Sequence, residues 1–234
     1  MNANNNSSYR FYPLRAIKPM GWLLGQIRQE MTTGLVAYYD KIDPTVAQNL
    51  FAENKRDHGF HPTYHKIPFA PDWWSGEHEG YWKDAFVRLA FYSGMEGPIR
   101  RAKEMMQAVL KSAEQDGGYI GMYSKKSRYN QERGKDNGEL WAQSRILQAL
   151  MAYHQFTQED KVLDAITKAA DITIENYSNY GNYFDIGKGG GIGHGLMLAE
   201  PLEELYYLTG DGKYADFIRV MQFIRRNISE FWHF

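Results

Sequence analysis

The chain has 234 residues, 43% of them hydrophobic and 24% charged, which fits one large globular domain with a real core. Its 27 basic and 28 acidic residues nearly cancel and no basic block stands out, so a nucleic-acid footprint or an anionic membrane surface is excluded and neutral partners are expected. Cysteine is absent, so the chain can form neither a disulfide nor a thiolate of its own.

Residues 1–20 read as an extended N-terminal segment and residues 21–234 as a single α-helical domain. The start, "MNANNNSSYRFYPLR", is polar where a signal peptide would be apolar, and no run of 18 apolar residues exists. As written the chain is expected to be cytoplasmic, or periplasmic or secreted if a leader has been removed. A first helix is predicted over residues 21–39, followed by a short turn or helix opened by Pro44. Residues 54–74 form a long irregular loop rich in Pro and Gly, and long loops inside compact domains tend to be functional.

From there apolar residues recur at spacings of three and four, with few strand signals. Three helical hairpins are predicted, at about 76–114, 138–177 and 192–227. Pro98 suits a first helical turn, Thr157 and Asp160 suggest a capping box, and Pro201 implies a kink in the first helix of the third hairpin. The second and third hairpins align 52 positions apart: Thr157 with Thr209, Lys161 with Lys213, Asp164 with Asp216 and Ile166 with Ile218. The first matches less well, with "FYSG" where the others have "QFTQ" and "YLTG". Stacked helix pairs of this kind build a solenoid or a closed toroid in which one helix of each pair lines the centre.

The connecting segments at 114–140 and 179–195, rich in Gly and Tyr, fall on the same edge as "DWWSGEHEG". A toroid places all three around its mouth. Glu77, His78 and Glu79 stand at the start of an inner helix, where free N–H groups favour anions. One reading makes a glutamate a helix cap and Glu79–Lys83 an ordinary i,i+4 pair. The functional reading turns a carboxylate and His78 to sugar hydroxyls, with Trp73, Trp74 and the loop tyrosines Tyr119 and Tyr123 as stacking surfaces. His194 stands at the start of the third inner helix, and Glu200 lies further along it, beside the kink expected at Pro201. The glycines of "GKGGGIGHG" lack the preceding strand a phosphate cradle needs. His58, His61 and His65 have metal-like spacing, but Pro62 breaks the helix that spacing would require, and neither metal nor cofactor is expected. Glu77, Glu79, Glu139 and Glu200 all fall near the mouth, so a carboxylate pair for glycosidic cleavage is available without being assigned.

The blocks "WWSGEHEGYWKDAFVRLAFYSG", "DGGYIGMY", "NGELWAQSRILQALMAYHQFTQEDKVLDAITKAAD" and "GHGLMLAEPLEELYYLTGDGKYADF" resemble, in order, those of the β-L-arabinofuranosidase-type glycoside hydrolases, family 127 and its relatives. The resemblance implies an all-α (α/α)6 toroid and a pocket for a terminal arabinofuranose-like sugar of plant-type glycans, with His194 on the sugar ring. A second family histidine is missing: Ala142 and Gln143 stand in its block. It further implies a cysteine nucleophile, zinc ligands and an acid/base glutamate in the later half of a barrel about twice this span. This chain would then be an amino-terminal half, with about three hairpins and an N-terminal helix, and a second copy or a second polypeptide would cover its open edges.

The reading is therefore a carbohydrate-active, glycoside hydrolase-like protein that takes a sugar or oligosaccharide. Candidate acid/base groups are Glu77, Glu79 and Glu200. Trp73, Trp74, His78, Tyr119, Tyr123 and His194 are the candidate sugar contacts. The alternative is a non-catalytic helical-repeat module binding a glycan or a protein. A third, weaker reading is half of a sugar epimerase or unsaturated-uronide hydrolase toroid.

Overall fold

The structure, a computed structural model, describes residues 12–56, 74–129, 138–177 and 195–229, the last seven of these by backbone alone. Trp73, His194 and the histidines 58, 61 and 65 lie outside the described residues. The chain is all-α: α1 (Gly21–Glu30), α2 (Leu35–Ile42), α3 (Trp74–Ser93), α4 (Glu96–Gln115), α5 (Glu139–Thr157), α6 (Asp160–Tyr177), α7 (Ala199–Thr209) and α8 (Gly212–Ser229). Short 3-10 turns cover Leu14–Ala16 and Leu196–Leu198. Among the described residues the only extended pairing is an isolated parallel bridge between Arg56 and Tyr123.

The three hairpins are α3–α4, α5–α6 and α7–α8, with α3, α5 and α7 side by side and α4 and α6 packed behind them. Helix α5 is central and buried along most of its length, whereas α4 and α6 bury only one stripe each. The α3–α5 pairing is the most extensive in the molecule, and glycine permits it. A Cβ on Gly80 would sit 2.5 Å from Arg145 Cβ, and one on Gly76 would strike Met122 and come within 3.1 Å of Ala142 Cβ. The glycines that flank "EHE" are thus the contact points at which two helix backbones meet.

All three hairpins turn with one chemistry. Thr157 Oγ1 donates to the Tyr153 carbonyl and accepts from the Glu159 N–H, while Gln158, at φ 57°, donates its N–H to the His154 carbonyl. The same bonds recur at Thr209 with Gly210 (φ 72°). In the first hairpin Ser93 Oγ donates to the Ala90 carbonyl and accepts from the Met95 N–H, beside Gly94 at φ 67°. The first hairpin thus turns in a related way, with its bonds reaching three residues back where the other two reach four. Thr157 locks a turn in this way rather than forming a capping box with Asp160. Gln158 occupies a left-handed position that glycine fills in the other two turns, so Gln158→Gly should raise unfolding free energy by about 1 kcal/mol. Urea denaturation checks this.

Two expectations are corrected. The single helix over 21–39 is two helices, because Gln29 O accepts the N–H groups of Thr33 and Gly34 and the hydroxyl of Thr32, and Glu30 Oε1 then accepts the Val36 N–H at 2.6 Å to start α2. Pro201 stands near the start of its helix and not within it. It falls in the first turn of α7, where an N–H has no intrahelical acceptor to lose, and the chain enters α7 through the 3-10 turn instead.

The N-terminal segment contributes to the core architecture. The Leu14 N–H donates to Gln155 Oε1 (2.8 Å) and the Tyr92 hydroxyl donates to the Leu14 carbonyl (3.3 Å), so residues 13–16 strap the C-terminal ends of α3 and α5.

Candidate functional site

Helix α3 buries Ser75, Gly76, Glu79, Gly80, Trp82, Lys83, Phe86, Val87 and Ala90. The opposite stripe, at spacings of three and four, carries Trp74, Glu77, His78, Tyr81, Asp84 and Arg88, all half-buried or exposed. Trp74 and Tyr81 are each 42% exposed, two turns apart. Facing them, α5 places Arg145, Gln148 and Gln155 on one face, and α7 supplies Glu200 and Glu204 one turn apart.

These groups are linked across the three helices. Arg145 Nη2 donates to Glu200 Oε2 at 2.7 Å, its Nε donates to Ser144 Oγ at 3.0 Å, and its guanidinium lies 5.1 Å from the centre of the Tyr81 ring. Arg145 is buried while the Glu200 side chain is 55% exposed, so the pair points its acid end to solvent. Arg88 Nε donates to Asp84 Oδ1 at 2.8 Å, and Gln155 donates to Glu204. Burial pushes the Asp84 carboxyl above its ordinary range against the pull of Arg88 and Arg145, with Glu200 adding repulsion. Burial raises Glu204 likewise, against its bond from Gln155. The result is a polar strip of carboxyls, guanidiniums, amides and a phenol ring between apolar walls, the mixture that recognises polyhydroxylated ligands.

The residues singled out in the sequence divide into two groups. Trp74, Glu77 and His78 lie near the start of α3 and Glu200 near the start of α7. His78 Nδ1 is buried with no hydrogen-bond partner among the described residues. Glu79 is fully buried instead: its carboxylate accepts the Leu50 N–H at 3.0 Å and pairs with the buried Lys83 at 3.3 Å, so it fastens residues 45–52 to α3. Burial raises its pKa, against the pull of Lys83.

Tyr119 and Tyr123 are also buried. Tyr119 lies between two cations, with Lys55 5.1 Å and Arg128 3.8 Å from its ring centre, and both cations bind Asp116. Its hydroxyl donates to Glu139 Oε1 at 2.7 Å. Glu139 Oε2 accepts the Tyr177 hydroxyl and the Tyr129 N–H, each at 2.7 Å. That buried carboxylate ties the segment before α5 to α5 and α6, and burial raises its pKa despite its three donors.

Gln143 faces α6, bonding the Ile120 carbonyl and Thr173, and Ala142 packs on Gly76. The block "ELWAQSRIL" thus reaches the inner face through Arg145. Sequence reasoning passed over Asp84, Arg88, Arg145, Gln148 and Glu204, although charged and amide residues inside apolar helical runs were the available signal.

Among the described residues no group of three His, Asp or Glu side chains converges to hold a metal ion, and without cysteine a thiolate zinc set does not fit this chain. No described helix is long and apolar enough to cross a membrane. The family model described as Beta-L-arabinofuranosidase, GH127 catalytic domain, matches residues 24–227. No curated protein and no solved structure matches the chain.

Proposed function

Because the chain belongs to the GH127 β-L-arabinofuranosidase catalytic-domain family, we propose that its glycoside hydrolase-like function is directed at a terminal arabinofuranose-like sugar and that this chain forms the substrate-contacting wall of the site. The observation that carries this reading is the Arg145–Glu200 pair set against the half-exposed Tyr81 in the middle of the inner face. A ring on Tyr81 would bring sugar hydroxyls within reach of a charged donor and a charged acceptor held at fixed positions.

Trp74, Glu77 and His78 extend the surface toward the start of α3, and Trp73 and His194 belong to the same proposed site. Of the three acid/base candidates, Glu200, with its side chain 55% exposed, has the access that proton transfer to a glycosidic oxygen requires. Glu79, closed in against Lys83 and Leu50, serves best by holding α3. The open edges of the three-hairpin layer are proposed to be covered by a second copy of the chain or by a second polypeptide.

Calorimetric titration of the 234-residue chain with an aryl β-L-arabinofuranoside should show binding at least about tenfold tighter than with an aryl β-D-glucoside, and Glu200→Gln should lose about tenfold, equivalent to ~1.4 kcal/mol. No release of the aryl group is expected, since the chain supplies no thiolate. Turnover that disappears in Glu200→Gln would replace this reading with one in which the chain carries its own acid and base. Equal binding of both glycosides would remove the arabinofuranose assignment.

A further inference from the structure

We infer that α1 pairs two copies of this chain about a twofold axis, the exposed Trp22 of each copy entering the groove beside α1 of the other. Such pairing gives the second copy proposed above one place on the molecule, and it draws on no residue of the inner face.

Helix α1 and the segment before it leave much apolar surface uncovered. Within α1 only Ile27 is buried, whereas Tyr12, Met20 and Trp22 are each more than three-quarters exposed and Ile17 and Leu23 about half. One exposed apolar side chain is ordinary, but such a group concentrated between residues 12 and 23 marks an interaction surface. Tyr12 and Trp22 alone present roughly 300 Å² of ring. With Ile17, Met20 and Leu23 the surface approaches the ~800 Å² that each partner buries in a stable complex.

The same helix supplies a receptor for this surface. A groove of about 460 Å³ is lined by the apolar Leu23, Ile27 and Leu89 and by the polar Gln26, Gln29 and Glu30. That mixture suits an indole, a large apolar ring whose N–H needs an acceptor. Ring and groove are neighbours in the chain, Trp22 standing beside Leu23, so an antiparallel meeting of two α1 helices seats both rings at once. The contact is then isologous and closes at two chains.

Charge fits the same arrangement. From residue 12 to residue 29 the chain carries Arg15, Lys18 and Arg28 and no acid. Arg28 donates to the Ser93 carbonyl, while Arg15 and Lys18 have no carboxylate partner among the described residues. Glu30, on the groove, accepts the Val36 N–H through Oε1 and has no cation partner among the described residues. Cations beside the ring and a carboxylate beside the groove complement each other across the twofold axis. Lys18, nearer than Arg15 to Trp22 in the chain, is assigned to the partner's Glu30.

Sedimentation equilibrium of the 234-residue chain without sugar tests this. A dimer that dissociates on dilution is expected, and Trp22→Ser should weaken it by about thirtyfold, as loss of a central aromatic anchor does, with helicity unchanged by circular dichroism. Lys18→Glu and Glu30→Lys should each weaken the homodimer about tenfold. Mixing the two variants should restore pairing, because both contacts then join a glutamate to a lysine, a repair that a merely misfolded variant would not show. A monomer at every concentration, growth beyond two chains, a dimer indifferent to Trp22→Ser, or no recovery on mixing overturns the pairing. None of these results bears on carbohydrate binding, which the glycoside titration above reads separately.

Discussion

Glu139→Ala should cost about 3–5 kcal/mol of unfolding free energy, the range for removing one partner of a buried charged network. Three donors converge on this carboxylate, the hydroxyls of Tyr119 and Tyr177 and the N–H of Tyr129, and each would be left buried without its acceptor. The Tyr119, Tyr129 and Tyr177 rings meet edge to face around it, so the cavity cannot close without breaking those contacts. Urea unfolding followed by circular dichroism measures the loss, and a change under 1 kcal/mol would show that Glu139 is not what ties the segment before α5 to the hairpin.

The pH dependence has a defined sign. Burial raises the Glu139 carboxyl above its ordinary value of 4.5, so the folded state binds a proton that the unfolded state releases. The contribution is full below the unfolded pKa and is lost as pH rises through the folded one. The melting-temperature difference between wild type and Glu139→Gln should therefore shift toward wild type as pH falls from neutral toward 4.5. A shift in the other direction would mean the carboxylate is stabilised as an anion.

Gly80→Ala should be the second most damaging small change, costing about 3 kcal/mol, at the upper end for an overpacked contact. Its new Cβ would lie 2.5 Å from Arg145 Cβ and 3.3 Å from the Arg145 and Ile146 backbone, so the α3 and α5 backbones must separate. The effect reaches the inner face, because Arg145 holds Glu200 and lies over Tyr81. Sugar binding should fall along with stability. Gly25→Ala is the control: nothing lies within 4 Å of its Cβ, and a helical glycine replaced by alanine should gain about 0.5–1 kcal/mol. If both alanines are tolerated equally, the helices do not meet at Gly80.

The hairpins were legible because each of their helices carries a 3.6-residue apolar stripe and each pair is joined by a hydroxyl residue followed by a turn residue. Ser93 disguised the first turn by standing where the others have threonine. The break between α1 and α2 was not legible, since it depends on where Gln29 O and Glu30 Oε1 find their donors. For the site, sequence order drew attention to the connecting segments, where aromatics and acids cluster. Trp74, Glu77, His78 and Glu200 do flank the inner face. Tyr119 and Tyr123, in the same kind of segment, are spent on packing and on Glu139. Arg145 was hidden because it stands last in the polar run Gln143–Ser144–Arg145, and only the position of α5 between α3 and α7 shows which of the three reaches the inner face.

The most direct test of the inner face as the carbohydrate surface is the set of tryptophan indole N–H signals during titration with L-arabinose. Trp74 and Trp141 lie on the inner stripes of α3 and α5, Trp82 is buried with its indole bonded to the Val36 carbonyl, and Trp22 is exposed on α1. Saturable shifts at Trp74 and Trp141, with Trp22 and Trp82 unmoved, are the predicted result. Saturable shifts confined to Trp22 would place the ligand on the N-terminal helices and contradict the account.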